Sequence, residues 1–331
     1  MSGRVTARHV AQRAGVSQST VSYVLNDSPN QTITPATRQR VLDAVEELHY
    51  VPSAAARALR SGTSRVALIV LPDAPIGSTI SQLIERVSDD LEPFGYSVVY
   101  RRHRGSAMLE RAWRETRPAA VVDLAAVGEE DRRRIRAAGI PVIEAALDDL
   151  SRVGALSVGQ VEIGRLQAHH LLELGHRHLG YAAPDDRRVD GYYTRRLLGV
   201  REACAAAGVP EPVVVPVPLD AGSGAAAVSR WTMAPRGEQV TGVCAYNDEV
   251  AFALLAGARI LGRVIPDDLA VVGVDNVPLS PLAAPALTTV DIGTMQIADE
   301  LSRLMRAAML GEDASVGLVE PAATLVRRAS T

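Results

Sequence analysis

The sequence predicts a small all-α head followed by a larger α/β unit built on two doubly wound parallel sheets. Near the start, two short helical runs are broken at a glycine, and a third run begins with a clear helix cap. From residue 65 onward, short apolar strands alternate with amphipathic helices, which is typical of parallel sheets covered on both faces. We expect a head over residues 1–51, a connecting segment over 52–62 and the larger unit over 63–331.

Length and composition agree with this organisation. The 331 residues suffice for two or three packed units at roughly 100–200 residues per domain. The two cysteines, Cys204 and Cys244, and an opening without an apolar leader favour the reducing cytoplasm over secretion. No apolar run approaches the ~18 residues that a membrane span needs, so we do not expect an integral membrane protein.

Charge is unevenly distributed along the chain. Residues 1–65 contain eight arginines and four acidic residues, a net charge of +4, and because the whole chain carries −3, the remainder carries −7. A cationic head on an anionic body indicates a polyanionic partner for the head alone. An ordinary solvated surface is the alternative interpretation, and charge by itself does not decide between them.

Residues 6–25 predict a helix-turn-helix. Gly15 permits the tight turn, and Ser17 suits the N-cap of the second helix. Ser17, Gln18 and Ser19 stay outward at the start of that helix, the end that enters the major groove in this motif. The residues that face each other across the turn are small or apolar: Val10, Ala11, Ala14, Val16, Val21 and Val24.

A third helix begins at Thr34, the predicted N-cap, with Pro35 at the first helical position. One apolar stripe along it faces the first two helices: Val41, Ala44, Val45 and Leu48. An ordinary three-helix bundle without a nucleic-acid role is the alternative. The small residues at the helix crossing, the hydroxyl-rich outward face and the positive charge favour a DNA-reading head.

The runs AGVSQSTVSYVLND and TRQRVLDAVEELHYVPSAAARALRSG resemble the lactose-repressor (LacI/GalR) family of bacterial transcription regulators. Tyr23 stands where that family most often has arginine, and a tyrosine cannot donate two hydrogen bonds to guanine, so base preference should differ there. The resemblance implies that Gln18 and Ser19 read bases. It also implies that phosphates and sugars are contacted by five residues: Thr6, Ser17, Thr20, Asn26 and Thr34.

After Pro52, the run SAAARALRSG favours a helix of only some eight residues. Helices shorter than about 12–15 residues are marginal in water, so this hinge segment needs a partner. The resemblance implies that two hinge helices, one per subunit, pair in the minor groove, where Leu59 wedges into the central base step and Ala56 faces the twin helix. A flexible linker with an incidental leucine is the alternative.

The larger unit contains eight predicted strands in two sets of four, at 66–72, 96–100, 119–124 and 141–145, and at 178–183, 213–217, 242–246 and 269–274. Doubly wound lobes bind ligands at the carboxyl ends of their strands. The resemblance implies a periplasmic-binding-protein-like effector and dimerisation domain. Its expected lobes are 63–160 plus 292–318, and 161–291 plus 319–331.

The resemblance places Arg196, Asn247 and Asp275 in the effector site, where a guanidinium, an amide and a carboxylate can converge on a polar ligand. Asn247 and Asp248 also suit the N-cap of the following helix, and for Asp248 we expect that structural role. Aromatic residues common in the family are missing from DAPIGSTISQL and at Leu219, and Gly159 replaces an aspartate. A simple sugar effector is therefore disfavoured, and a regulator without an effector stays open.

Other chemistry is not expected. The histidines at 169–170 and in GHRH at 175–178 lack acidic or cysteine partners at metal-ligand spacing, so we expect no metal and no cofactor. No nucleophile, base and acid set is recognisable, so we do not expect an enzyme. The sequence predicts a repressor of a pseudo-palindromic operator that is a dimer, with a tetramer as the alternative, and is modulated by a small molecule. A small-molecule-binding protein of the periplasmic type is the alternative, and it leaves the head unexplained.

Overall fold

The computed structural model describes residues 5–25, 33–50, 64–146, 156–157, 159–235, 237–311 and 322–331. The chain divides into two compact units, residues 1–65 and 66–331. The first unit contains helices α1 (Ala7–Ala14), α2 (Gln18–Leu25) and α3 (Pro35–Glu47). The predicted hinge segment at 52–62 lies outside the described residues.

The head forms the predicted helix-turn-helix. Gly15 ends α1 in the left-handed conformation, with φ of 65°, which glycine adopts without a steric penalty. The Thr34 hydroxyl accepts a hydrogen bond from the Thr37 amide at 3.3 Å, and Pro35 opens α3, as predicted. The fully buried core consists of small and medium side chains: Val10, Ala11, Ala14, Val21, Val24, Val41 and Ala44. Val16, Val45 and Leu48 pack against them partly buried.

The first sheet of the larger unit is entirely parallel and has the order β2-β1-β3-β4-β5. Its strands are β1 (Val66–Leu71), β2 (Ser97–Arg102), β3 (Ala120–Asp123), β4 (Val142–Ala146) and β5 (Leu156–Ser157). Three helices alternate with these strands: α4 (Ser78–Leu91), α5 (Ser106–Thr116) and α6 (Glu129–Ala137). The carboxyl ends of β1 and β3 therefore meet at one edge of the sheet.

The second sheet has the order β11-β10-β9-β8-β6-β7 and is parallel except for β11, which runs antiparallel to β10. Its strands are β6 (Leu179–Pro184), β7 (Val213–Val217), β8 (Gly242–Ala245), β9 (Ala270–Val274), β10 (Thr288–Asp291) and β11 (Thr324–Val326). The remaining helices are α7 (Gln160–Glu173), α8 (Asp190–Ala206), α9 (Ala221–Thr232), α10 (Asp248–Ile260) and α11 (Thr294–Leu310).

All eight predicted strands form, but the two predicted sets of four become sheets of five and six strands. The additional strands are β5, β10 and β11, which have two, four and three residues and offer no long apolar run. Helix α11 follows β10 and returns to the first sheet, where Ile297, Leu301 and Met305 share a core with β1 and α4. The second sheet has its own core, in which Trp231 and Val243 are fully buried.

Candidate functional site

Helix α2 presents a polar face to solvent. Val21 and Val24 are buried on its inner side, whereas Gln18 and Ser19 are exposed and Tyr23 is 37% exposed. The Ser17 hydroxyl accepts a hydrogen bond from the Thr20 amide at 3.1 Å, which is the predicted N-cap. The arrangement leaves an amide, a hydroxyl and a phenol free to reach the edges of bases.

Two further predicted contact residues lie at helix starts. Thr6 is the N-cap of α1, where its backbone amide donates to His9 Nδ1 at 3.2 Å, and exposed Thr34 caps α3. Backbone amides at helix N-termini favour anionic partners such as phosphate. Asn26, Ala56 and Leu59 lie outside the described residues, so their predicted contacts stay predictions.

A pocket of about 390 Å³ lies between the two sheets of the larger unit, a volume within the range of small-molecule sites. The wall on the side of the first sheet is formed by residues 71–83 and the start of α11, and its lining residues are uncharged. The opposite wall comes from the strand ends of the second sheet. That wall carries every charged lining residue: Asp185, Asp186, Arg196, Glu249 and Asp275.

Arg196 is fixed in this wall although it is only 4% exposed. Its Nε donates to Gln160 Oε1 at 2.7 Å, and its Nη1 donates to the Tyr246 carbonyl at 2.6 Å. The guanidinium carbon lies 4.9 Å from the centroid of the Tyr246 ring, a cation–π contact. A Cβ atom at Gly164 would overlap the Arg196 carbonyl oxygen. Glycine at 164 therefore lets α7 pack closely enough to position Arg196.

Asp275 follows β9 on strained backbone. It has a φ of 104° and Asn276 has a φ of 50°, values that non-glycine residues rarely adopt and that concentrate at functional sites. The Asp275 amide donates to the Val290 carbonyl at 2.8 Å, and Asn276 Nδ2 donates to Asp291 Oδ2 at 2.9 Å. These bonds hold the carboxylate in the pocket, with its Oδ1 3.9 Å from Arg196 Nη2.

The surroundings of Asp275 disfavour its charge. Burial raises the pKa of Asp275 to about 7, although Arg196 acts to lower it. The neighbouring carboxylates of Asp248 and Glu249 raise the pKa further, and a hydrogen bond with the Thr79 side chain lowers it. A carboxyl group poised near neutrality in a cavity is typical of a functional site.

Both units of the chain are similar to known protein families. A family model described as bacterial regulatory proteins, lacI family, matches residues 6–53, and a periplasmic binding protein-like domain model matches residues 168–331. The HTH-type transcriptional regulator DegA of Bacillus subtilis is 30% identical over 302 residues, which cover 87% of this chain and 86% of the relative. The chain belongs to the lacI family. This LacI-family protein is thus a DNA-binding transcription regulator with an effector-binding domain, not an enzyme.

Two other similarities extend the comparison. The HTH-type transcriptional repressor PurR of Photobacterium profundum is 26% identical over 299 residues, 86% of each chain. A crystal structure of the lac repressor dimer bound to operator and an anti-inducer has the same fold, with a TM-score of 0.79 at 23% identity over 99% of each chain. The head of a DNA-binding family excludes the alternative of a ligand-binding protein without a DNA role.

The three predicted effector residues line one pocket in this LacI-family regulator. Arg196, Asn247 and Asp275 come from α8, the end of β8 and the end of β9. Asn247 also caps α10, since its Oδ1 accepts from the Val250 amide at 3.0 Å. Their contact with a ligand stays a prediction.

The expected N-cap role of Asp248 is wrong, because Asn247 takes the cap and Asp248 is the first residue of α10. The buried Asp248 carboxylate instead accepts from the Val277 amide at 3.0 Å and from the Ser280 and Thr289 hydroxyls, each at 2.5 Å. Its role is structural, because these hydrogen bonds tie α10 to β10 and to the loop after β9.

Sequence reasoning missed Gln160, Tyr192, Tyr246 and Glu249, all of which line the pocket. The two tyrosines flank predicted residues in YYTRRLLGV and AYNDEVAF, which was the available signal. They supply aromatic surface from the second sheet, although the aromatic residues expected elsewhere are absent. Leu219 also lines the pocket, and Gly159 precedes the first turn of α7.

Among the described residues, no group of histidine, cysteine, aspartate and glutamate side chains is arranged to hold a metal ion. Within the same residues, no helix is long and apolar enough to cross a membrane. His170 instead forms a hydrogen bond of 2.9 Å between its Nε2 and the Thr331 hydroxyl. This bond joins α7 to residue 331 and is structural.

Proposed function

We propose that this LacI-family regulator is a homodimeric repressor that acts in the cytoplasm on a pseudo-palindromic operator and responds to a small molecule bound between its two sheets. One observation carries the proposal: a single chain combines an outward polar face on α2 with a pocket in which Arg196 and Asp275 are held at a fixed separation of 3.9 Å. The lac repressor structure, a dimer on operator, supports the dimeric assembly. The relative PurR, a repressor, supports repression rather than activation.

On DNA, each α2 enters one major-groove half-site. Exposed Gln18 and Ser19 offer an amide and a hydroxyl to base edges, and Tyr23 offers a single phenolic hydrogen bond. Thr6, Ser17, Thr20, Asn26 and Thr34 anchor the head to phosphates and sugars, which fixes its register without reading sequence. The hinge segments pair across the dyad, where Leu59 wedges the central step.

Ligand binding in the pocket changes operator binding because it changes the distance between the two heads of the dimer. A ligand shifts the equilibrium between two arrangements only by its difference in affinity for them. Polar groups on the second sheet hold one side of the ligand, and the uncharged wall of residues 71–83 closes on the other. The larger unit then changes the distance between the hinge segments.

Selection of DNA sites tests the proposal. Full-length protein is used to select duplexes from a random library, and the selected sites are footprinted and the mass of the complex is measured. We expect two half-sites related by a dyad, a flexible central step and two protein chains per site. An asymmetric site with one protected half, or one chain per site, would contradict the dimeric repressor.

A further inference from the structure

The charges on the pocket walls restrict what kind of molecule fits, and this inference rests on the proposed function because it concerns the same pocket. The wall of residues 71–83 and 292–297 contributes apolar side chains and hydroxyls only. The opposite wall contributes four carboxylates and one guanidinium. A ligand therefore meets an apolar surface on one side and a predominantly acidic surface on the other.

The guanidinium of Arg196 is already occupied. It donates to Gln160 and to the Tyr246 carbonyl, packs over the Tyr246 ring and lies 3.9 Å from Asp275. One carboxylate is also occupied, because Asp186 accepts from Arg188 at 2.6 Å. A ligand anion would thus find no uncommitted guanidinium in the wall.

Asp185 is exposed to solvent, which leaves two undercompensated carboxylates within the pocket. Among the described residues, the partners of the Asp275 side chain are Arg196, at 3.9 Å, and the Thr79 hydroxyl. Half-buried Glu249 forms no ion pair within the described part of the chain, and its nearest amide partner, Asn247 Nδ2, is 3.5 Å away. Glu249 also reaches toward the other wall, since its Oε1 lies 3.3 Å from where a Cβ of Gly77 would be. Both side chains are only partly exposed, and shielding a carboxylate from water without a close cation is unfavourable.

Two other features of the pocket favour a cation with a polar substituent. Tyr192 lines the same wall as the carboxylates, and aromatic faces attract organic ammonium groups, whereas the Tyr246 ring already packs against Arg196. On the uncharged wall, Thr294 is 8% exposed, and its hydroxyl has no hydrogen-bond partner among the described residues. A buried hydroxyl without a partner is unfavourable unless a ligand or water satisfies it.

We propose that the effector is an amphipathic organic cation, with its ammonium group between Asp275 and Glu249 beside Tyr192 and its apolar body against residues 71–83. The Thr294 hydroxyl pairs with a polar atom on that body. An anion is excluded by the two carboxylates, and a neutral molecule leaves both of them uncompensated.

Calorimetric titration of the full-length protein at pH 8 tests this class of ligand. The probes are phenylalkyl amines of increasing chain length, each with the alcohol and the carboxylate that share its body, and the neutral disaccharide cellobiose. We expect at least one amine to bind about tenfold or more tightly than its alcohol, since charge-assisted hydrogen bonds are about twice as strong as neutral ones, and no carboxylate to bind. The proposal is overturned if no amine binds, if alcohols match amines, or if cellobiose alone binds.

Two variants localise the ammonium group. Glu249→Gln and Asp275→Asn should each weaken amine binding about ten- to a hundredfold, the loss typical of a hydrogen bond to a charged group, with little change for the alcohol. Glu85→Gln is the control, because Glu85 is exposed on α4, outside the pocket. Equal losses for amine and alcohol in both variants would mean that the carboxylates are structural, and would overturn the proposal.

Operator affinity, measured with and without each bound probe, separates this inference from the proposed function. Amines that bind without changing operator affinity would leave the ligand class standing and contradict the proposed regulation. Operator affinity that responds only to the neutral probe would leave the regulation standing and overturn the ligand class.

Discussion

In the head, the side chains predicted to read bases, Gln18 and Ser19, are exposed and lie on one eight-residue helix, α2. In the pocket, Arg196 is buried and Asp275 is mostly shielded, with 15% of its side chain exposed. The two residues come from segments almost eighty residues apart in sequence. Because DNA is a large partner with its own charge and fixed shape, the head needs only a small core of valine and alanine to hold α2 in place. A small ligand brings few contacts, and therefore the protein itself must hold each polar group in place.

The largest effect is expected in the pocket, at the buried residue Arg196. Arg196→Ala removes the cation beside Asp275 and one hydrogen bond to Gln160, and breaking a buried pair typically costs about 3–5 kcal/mol. We expect a lower Tm and no response of operator binding to effector. Arg201→Ala, on the same helix but with only an exposed partner, Glu211, should change stability by less than about 1 kcal/mol. A normal response curve in Arg196→Ala would remove this residue from the site.

A substitution on the exposed face of α2 should lower the affinity for operator without lowering the stability of the protein. Gln18→Ala removes a base-reading amide, and each good side-chain–base pair contributes about 1–3 kcal/mol of discrimination, so operator affinity should fall roughly ten- to a hundredfold. Binding to random duplex, measured by the same titration, should barely change. Gln39→Ala on α3, where the exposed side chain donates a hydrogen bond to Asp43, is the matched control. Equal losses on operator and random DNA would contradict the role of Gln18.

A substitution in the hinge segment should also lower operator affinity, but by a smaller factor. Leu59→Ala removes the apolar wedge, and we expect specific affinity to fall by on the order of tenfold, with non-specific affinity almost unchanged. Leu42→Ala serves as the control because Leu42 is an exposed leucine on α3. Bending of the operator, followed by the mobility of circularly permuted fragments, should decrease in Leu59→Ala only. Identical losses on random DNA would indicate a plain linker.

The smallest effect concerns the charge of Asp275. Its pKa is raised to about 7 in the folded protein, against about 3.9 in the unfolded chain. Between these values the folded state binds the proton more tightly, so this group's contribution to stability falls as pH rises from about 4 to about 7. Asp275→Asn removes that loss together with the attraction to Arg196. Without ligand, its Tm should exceed the wild-type value by about 2–4 °C at pH 8 and by less at pH 5. A larger gain at pH 5 would contradict this assignment.

What the sequence predicts well is local. Gly15, Ser17, Thr34 and Pro35 act within a turn or two of their own position, and all four have their predicted roles. The pocket is harder because its geometry depends on long-range contacts: Gln160 and Tyr246 meet Arg196 from α7 and from the end of β8. Strands β5, β10 and β11 are too short for a periodic pattern. Resemblance identified Arg196, Asn247 and Asp275, but only the structure brings Glu249 and the tyrosines beside them.

Most of the uncharged wall comes from a single continuous stretch, residues 71–83, whereas the charged wall is assembled from several strand ends. A library confined to that short stretch could therefore vary the side that faces a ligand's body while leaving the ionic side as it is. A biosensor built on this chain could be retuned for new compounds with one mutagenic oligonucleotide, and its output through the helix-turn-helix would need no redesign.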